Sequence, residues 1–193
     1  MTVYADPPPG FRVVDLCAAP GGKALALSQG SRAVLAGDTS PSRMAILREN
    51  VERVGARVDL MVADARRPPL ARAEFVLLDV PCSGTGTLRR HPDARWRLTP
   101  GTLASLVRLQ REILQASRAL IPRGGHLVYA TCTLEEEENR NQVRDFLREN
   151  PGFRVEDTGT APLRFLTRDG YLQVLPQDAG FDGSFAARLV RDS

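Results

Sequence analysis

The 193-residue sequence is poor in lysine, in cysteine and in long apolar runs, and the last two shortages each exclude a class of protein. No stretch is apolar over the length of a membrane span, and the amino terminus has no signal-peptide pattern, so we expect no membrane contact. The three cysteines, Cys17, Cys82 and Cys132, are an odd number without metal-ligand spacing. They predict reduced thiols and a cytoplasmic protein, not a disulfide or zinc scaffold.

The basic residues are almost all arginine. Lys23 is the single lysine among 26 basic side chains, which stand against 23 acidic ones and give a net charge of +3. Genome composition accounts for most of this bias, although the planar guanidinium also suits phosphate contacts. The charge balance permits nucleic acid as a partner without requiring it.

The glycine spacing of dinucleotide-binding folds, G-x-G-x-x-G, is also absent, which argues against NAD as a cofactor. No internal repeat, low-complexity tract or composition shift marks a second domain. With 42% hydrophobic residues, the chain is expected to form a single α/β domain over residues 1–193.

Apolar runs alternate with helical patterns along the chain, as in βαβ units. Strands are predicted at residues 11–16, 33–37, 58–62, 75–78, 126–132, 153–155, 171–175 and 185–190. Helices are predicted at 23–29, 41–54 and 102–120, and a fourth after Thr133, which has capping-box spacing to Glu136. The glutamates at 135–138 are interpreted as a solvated helix start and not as a metal site. Because βαβ connections make neighbouring strands parallel, we expect a mostly parallel sheet flanked by helices.

Reactive side chains follow two of the predicted strands. Asp79 and Cys82 come after the apolar run at 75–78, where a proline ends the strand, and Cys132 ends the strand at 126–132. The carboxyl ends of parallel strands meet at the edge of an α/β sheet where ligands bind. Two thiols and a carboxylate at that edge indicate chemistry on a bound base.

A turn rich in small residues follows the first predicted strand. It runs from Cys17 to Lys23, with glycines that let the backbone approach a ligand and a helix start that offers free N–H groups. Asp38 ends the second strand 23 residues after Asp15, a spacing at which an acidic residue often binds ribose hydroxyls. Asp64 follows the third strand and is either a turn residue or a cofactor ligand. This pattern is typical of many nucleotide-binding folds, so it indicates a cofactor pocket without naming the cofactor.

Three segments together resemble the signatures of the RNA cytosine-5 methyltransferases of the NOL1/NOP2/Sun group. They occur in the family's order, at residues 15–23 (DLCAAPGGK), 79–86 (DVPCSGTG) and 129–133 (YATCT). Residues 89–96 (RRHPDARW) are similar to the bacterial Fmu/Sun branch, which modifies small-subunit ribosomal RNA. The resemblance covers nearly the whole chain. It implies a class I methyltransferase fold, which is Rossmann-like, with S-adenosyl-L-methionine as methyl donor.

The resemblance also implies roles for single residues. Cys132 is the implied nucleophile at C6 of cytosine, Cys82 assists product release, and Asp79 binds the N3/N4 edge of the base. The reversed assignment, with the Pro-Cys residue as nucleophile, is the arrangement of DNA cytosine-5 methyltransferases and stays open. Cofactor contacts are implied for Cys17, Ala18, Ala19, Pro20, Gly21, Gly22, Lys23, Asp38, Arg43, Asp64 and Asp79. Buried cysteines are often only small apolar residues, and this is the preferred interpretation of the Cys17 side chain.

The arginine loop, residues 89–97, is predicted to contact RNA with Trp96 as a stacking platform; the alternative is a solvated surface loop. Family members usually carry an N-terminal RNA-binding region. The chain is therefore expected to be a catalytic domain without that region, or to use a separate RNA-binding partner. Two other functions stay open: a non-catalytic RNA-binding or assembly protein on the same fold, and a methyltransferase for another acceptor. The presence of both thiols and of the carboxylate argues against a non-catalytic protein. A methyltransferase for another acceptor would not need paired cysteines.

Overall fold

The computed structural model describes residues 2–29, 33–156 and 160–192, which form strands and helices in alternation. The strands are β1 (Val13–Asp15), β2 (Val34–Asp38), β3 (Val58–Val62), β4 (Phe75–Asp79), β5 (His126–Thr131), β6 (Phe153–Val155), β7 (Leu172–Val174) and β8 (Ser184–Arg191). The helices are α1 (Thr2–Ala5), α2 (Gly22–Leu27), α3 (Pro41–Val54), α4 (Pro100–Arg118), α5 (Arg140–Glu149) and α6 (Pro176–Ala179). None of the helices in these ranges is long and apolar enough to cross a membrane.

The strands form one mixed sheet in the order β3-β2-β1-β4-β5-β8-β6, with β7 paired to β8. The first five strands in this order are parallel, whereas β8 runs antiparallel to β5, β6 and β7. The predicted mostly parallel α/β sheet is therefore confirmed. The parallel register pairs Asp15 with Leu77 and Asp79 with Ala130, so the carboxyl ends of β1, β4 and β5 lie along one edge.

Apolar side chains form a layer on each face of the sheet. Val14, Val76 and Leu78 belong to the layer that includes residues of α4 and α5. Phe75 and Leu77 belong to the opposite layer, with residues of α2 and α3. Strand β4 is buried on both faces, as its unbroken apolar run predicts, and each such side chain contributes about 1.5–3 kcal/mol when fully buried.

The predicted bounds of α3, β3 and β6 are confirmed, and the other elements shift by a few residues. The helix predicted at 102–120 begins earlier because Thr99 caps it. The Thr99 hydroxyl accepts the Thr102 N–H at 3.1 Å, and the Thr102 hydroxyl accepts the Thr99 N–H at 2.8 Å. Pro100 then occupies the first helical position, where its missing N–H costs nothing.

The predicted capping box of Thr133 and Glu136 is wrong. The helix predicted after Thr133 is α5, which begins only at Arg140 after a series of turns, and the Thr133 hydroxyl accepts the N–H of Glu135 at 3.2 Å. The interpretation of the glutamate run as solvated is also wrong for Glu138, which is completely buried. Hydrogen-bond donors from distant segments bind this carboxylate, so tertiary contacts override the local pattern.

Candidate active site

A cavity of about 540 Å³ lies at the carboxyl edge of the parallel strands. Its wall brings together most of the site residues predicted from sequence: Cys17, Ala19, Pro20, Asp38, Arg43, Asp64, Asp79, Cys82 and Cys132. A neighbouring cavity of about 430 Å³ is lined by Ala18, Gly22, Lys23 and Asp79, whereas Gly21 lines neither. One edge of the sheet thus carries the cysteines, the carboxylates and the small-residue turn.

Cys82 and Cys132 lie side by side between the ends of β4 and β5. Their sulfurs are 3.3 Å apart, and the backbone N–H of Cys132 donates to the Cys82 sulfur at 3.3 Å. Both cysteines are free and partly exposed. A disulfide would need a separation of about 2.05 Å, so the contact is a hydrogen bond between two thiols.

This hydrogen bond makes the two thiols unequal. The pKa of Cys132 is lowered, chiefly by its hydrogen bond with Cys82, while burial and Asp79 oppose the shift and Lys23 supports it. The pKa of Cys82 is raised by its hydrogen bond to Cys132 and by burial. These directions favour Cys132 as the thiolate of the pair, and a thiolate is the nucleophilic form of cysteine.

Asp79 is paired with the only lysine of the chain. The Lys23 ammonium donates to Asp79 Oδ2 at 2.5 Å, and each side chain is about one third exposed. The turn before Lys23 depends on Gly21, whose φ of +118° is left-handed and where a Cβ would collide with Leu47. The turn expected to hold a cofactor thus also places a cation on the carboxylate expected to bind the base.

Asp38 and Asp15 are buried carboxylates at the ends of β2 and β1. Asp38 accepts the Ser40 N–H at 3.0 Å and pairs with Arg43 at 3.2 Å, and Arg43 also donates to the Ala19 carbonyl. One oxygen of Asp15 accepts the N–H of Cys17 at 3.2 Å, and the other has no partner among the described residues. Burial, reinforced by Asp79, raises the pKa of Asp15 to about 7.

Comparison with known proteins decides the family. A family model described as 16S rRNA methyltransferase RsmB/F matches residues 2–190. The chain belongs to the RsmB/F family. The resemblance to the Sun group is thereby confirmed.

Two curated relatives of this RsmB/F chain are named ribosomal RNA small subunit methyltransferase B. The protein from Sodalis glossinidius is 38% identical over 188 residues, and that from Yersinia enterocolitica is 37% identical over 192 residues. The alignments cover 94% and 96% of this chain, but 42% and 43% of the relatives. The chain therefore spans less than half the length of the curated relatives it matches.

Solved structures confirm the class I methyltransferase fold. The crystal structure of PH0851 has a TM-score of 0.91 and 35% identity, covering 98% of this chain and 44% of that one. NSun6 from Pyrococcus horikoshii, solved with SFG, has a TM-score of 0.87 and 30% identity, covering all of this chain and 51% of that one. A methyltransferase homolog protein from Pyrococcus horikoshii has a TM-score of 0.78 and 25% identity, with coverages of 98% and 66%.

Asp64 of the RsmB/F chain has the geometry of a turn residue, and its role as a cofactor ligand stays a prediction. It accepts the backbone N–H of Arg66 at 2.9 Å, as a turn residue does, and it also lines the main cavity. The Arg66 guanidinium donates to Asp64 at 2.7 Å, and this hydrogen bond lowers the pKa of Asp64. Arg66 also lines the cavity and had no sequence signal, since arginine is common in this chain.

Cys17 differs from the other two cysteines. Its side chain packs against the apolar core, although it also borders the main cavity. Burial raises the pKa of this thiol well above the ordinary value, and Asp15 adds to the shift. Cys17 is therefore a weak nucleophile, in agreement with its interpretation as a small apolar residue.

The arginine loop borders a third cavity of about 380 Å³, which shares Cys82 with the main cavity and also includes His91 and Arg97. Trp96 is 77% exposed, with the Arg95 guanidinium 4.8 Å above its ring. A core role for this tryptophan is thus excluded. An exposed aromatic ring among arginines can stack on an unpaired base.

Proposed function

We propose that residues 1–193 are the catalytic domain of an enzyme that transfers a methyl group from S-adenosyl-L-methionine to C5 of cytosine in small-subunit ribosomal RNA. The observation that carries the proposal is the pair of cysteine sulfurs, 3.3 Å apart, on the wall of the cavity that also includes Asp79. The names of the relatives, ribosomal RNA small subunit methyltransferase B, support it. Transfer of a labelled methyl group to cytidine in this RNA tests it.

The residues around the main cavity fit S-adenosyl-L-methionine, which supplies an electrophilic methyl group when bound. The volume of about 540 Å³ lies within the usual range of ligand pockets. Asp38 can accept ribose hydroxyls at the end of β2, as acidic residues do in related folds. One oxygen of the buried Asp15 carboxyl group has no hydrogen-bond partner among the described residues, and a cationic ligand at the adjoining turn would compensate its charge. Arg43 and Asp64 complete the polar wall at this end.

Cys132 begins the covalent steps. C5 of cytosine is a poor nucleophile, so the Cys132 thiolate first adds to C6, and the electrons of the C5–C6 double bond move toward the ring nitrogen and carbonyl. Asp79 accepts a hydrogen bond from the N4 amino group and holds the Lys23 ammonium at this edge, where the cation stabilises the negative charge that builds on N3 and the ring carbonyl. The electron-rich C5 would then take the methyl group of bound S-adenosyl-L-methionine, whose methyl–sulfur bond breaks so that S-adenosylhomocysteine is the leaving group.

Cys82 assists release. After methyl transfer C5 carries both the methyl group and a proton, and removal of the proton re-forms the C5–C6 double bond and expels the Cys132 sulfur as thiolate. The raised pKa of Cys82 depends first on its hydrogen bond to Cys132. Covalent occupation of Cys132 removes that cause and leaves burial as the main cause of the raised pKa, so ionisation of Cys82 is easier in the adduct and Cys82 is the group proposed to take the proton from C5.

Replacing Asp38 by alanine is expected to weaken binding of S-adenosyl-L-methionine and S-adenosylhomocysteine about 10- to 150-fold. The reason is the loss of a hydrogen bond to a charged group, which costs about 1.5–3 kcal/mol. Isothermal titration calorimetry measures both affinities. Asp59→Ala removes an exposed carboxylate from the edge strand β3 and serves as the control. Equal affinities in Asp38→Ala and Asp59→Ala would remove Asp38 from the site.

Reversing the charges of Arg89 and Arg90 is expected to weaken RNA binding and to flatten its salt dependence by about one to two units of log–log slope, because fewer counterions are released. Filter binding to small-subunit ribosomal RNA over a salt series measures the slope. The control reverses two exposed arginines of α3, Arg48 and Arg53, which gives the same change in net charge. If both double variants change the slope equally, the effect comes from net charge and the arginine loop is not a specific contact.

We further propose that RNA recognition draws on residues beyond this stretch. The curated relatives are more than twice as long as the aligned segment, since it covers 42% and 43% of them. Such residues belong either to the same longer polypeptide or to a separate RNA-binding partner. Adding that region is expected to strengthen RNA binding without changing the cofactor affinity.

A further inference from the structure

Glu138 is a fully buried carboxylate that the proposed chemistry does not use. Its Oε1 accepts the backbone N–H of Ser83 at 2.9 Å and the side-chain amide of Gln110 at 2.8 Å, and its Oε2 accepts the Ser83 hydroxyl at 2.5 Å. Gln110 donates in addition to the Pro81 carbonyl at 2.9 Å. A buried carboxylate is costly without such donors. These hydrogen bonds therefore attach Glu138 to residues 81–83, which we call the Cys82 segment.

Hydroxyl groups also join the Cys82 segment to residues 131–133, which we call the Cys132 segment. Each cysteine is followed by a hydroxyl residue, Ser83 after Cys82 and Thr133 after Cys132, and these two hydroxyl oxygens are 2.7 Å apart. Thr85 extends the chain, with its hydroxyl oxygen 2.9 Å from that of Thr133. The Ser83 hydroxyl therefore connects the Glu138 carboxylate to the residue that follows the second cysteine.

Backbone groups make further contacts between Glu138, the Cys82 segment and the Cys132 segment. The buried Tyr129 hydroxyl donates to the Glu138 carbonyl at 2.6 Å, which attaches the Glu138 backbone to β5, the strand before Cys132. The Gly86 N–H donates to the Cys132 carbonyl at 3.0 Å. A Cβ on Gly86 would lie 2.7 Å from that oxygen and 2.5 Å from the Gly183 carbonyl, so this approach requires glycine. Glu138 thus binds one cysteine segment by its backbone and the other by its side chain.

We propose that Glu138 is a positioning residue that holds the Cys82 segment against the Cys132 segment and so sets the 3.3 Å separation of the two sulfurs. Its importance for methyl transfer rests on the proposed function, but the positioning itself is a property of the thiol pair. Without the carboxylate, the Ser83 N–H and hydroxyl lose their acceptor. The Cys82 segment then shifts so that these groups bind other acceptors, and the separation of the two sulfurs changes.

The sulfur separation controls the ionisation of Cys132. The groups that face this thiol are Cys82, Asp79 and Lys23, and its pKa is lowered first by the Cys82 hydrogen bond, then by Lys23, against burial and Asp79. Asp79 ends β4 and Lys23 lies in α2, and their ion pair at 2.5 Å does not involve Glu138 or Ser83. Loss of the sulfur hydrogen bond then raises the pKa of Cys132, and the thiolate forms only at higher pH.

The test is alkylation of the chain by iodoacetamide as a function of pH, with Cys132 modification followed by mass spectrometry. In Glu138→Ala and Ser83→Ala we expect the midpoint for Cys132 to rise by about one pH unit, because a hydrogen bond to a charged group is lost. Glu138→Gln retains the volume and one acceptor oxygen, and its shift is expected to be smaller. Glu137→Ala removes the adjacent, exposed carboxylate and is expected to leave the midpoint unchanged.

An unchanged midpoint in a folded Glu138→Ala chain, or an equal shift in Glu137→Ala, would overturn the inference. If Glu138→Ala does not fold, as judged by circular dichroism, the Cys132 midpoints of Ser83→Ala and Glu138→Gln are measured instead. Higher midpoints support the inference, and unchanged midpoints overturn it. Iodoacetamide needs neither cofactor nor RNA, so the outcome is independent of the reaction catalysed. A shifted midpoint in a chain that methylates no cytosine would contradict the proposed function and support the positioning role.

Discussion

Replacing Cys132 by serine is expected to abolish both the methylated product and the covalent adduct, whereas replacing Cys82 by serine is expected to trap the chain on its RNA. Without the Cys132 thiolate nothing adds to C6, and methyl transfer should fall by roughly a thousandfold or more, as for other lost nucleophiles. Without Cys82 the addition and the methyl transfer proceed, but removal of the C5 proton stalls. A denaturing gel of each variant with labelled RNA and S-adenosyl-L-methionine shows the adduct as a shifted band.

The 3.3 Å separation of the sulfurs makes this comparison a demanding one, because either cysteine could reach the same base. The lowered pKa of Cys132 favours it as the nucleophile. The double variant Cys82→Ser/Cys132→Ser is the control and should give no shifted band. A shifted band from Cys132→Ser and none from Cys82→Ser would reverse the two roles. Methylation by both single variants without any adduct would contradict the covalent mechanism.

Asp79→Asn is expected to lower kcat by roughly 10²- to 10³-fold, the usual cost of removing one group that stabilises charge in a transition state. The amide preserves the shape of the side chain but removes the charge that pairs with Lys23 at 2.5 Å. Initial rates of methyl transfer at saturating cofactor and RNA measure kcat. Asp59→Asn, at an exposed position of β3, is the matched control.

The pairing of Asp79 with Lys23 gives this prediction a second test. Because the two groups are hydrogen-bonded, the effects of Asp79→Asn and Lys23→Met on kcat should not add in the double variant. A kcat for Asp79→Asn within a few fold of the wild-type value would show that Asp79 does not stabilise the reacting base.

The sequence predicts those parts of the fold that depend on local pattern. The apolar run at 75–78 places apolar side chains on both faces of a strand, which predicts that both faces are buried. Strand β4 is buried in that way. Helix α3 begins at a proline after Ser40 and ends at Val54, where Gly55 caps it with a left-handed φ of +67°, so both of its ends are encoded locally. Because parallel strands share one carboxyl edge, the proximity of Asp79, Cys82 and Cys132 also follows from the pattern.

What sequence could not predict depends on contacts between distant segments. Lys23 and Asp79 are 56 residues apart, and no spacing rule reports that their side chains meet. Glu138 lies in a run of four glutamates whose composition favours solvation, but Ser83 and Gln110 supply the donors that bury it. Capping patterns describe a helix in isolation, and here the side chain of Thr133 is bound by other hydroxyls instead.

The most direct test of cytosine-5 methylation is transfer of a labelled methyl group from S-adenosyl-L-methionine to unmodified small-subunit ribosomal RNA, followed by digestion and identification of the labelled nucleoside. We expect the label in 5-methylcytidine with the wild-type chain and none with Cys132→Ser. Label in any other nucleoside, or equal incorporation by Cys132→Ser, would contradict methyl transfer through a Cys132 adduct.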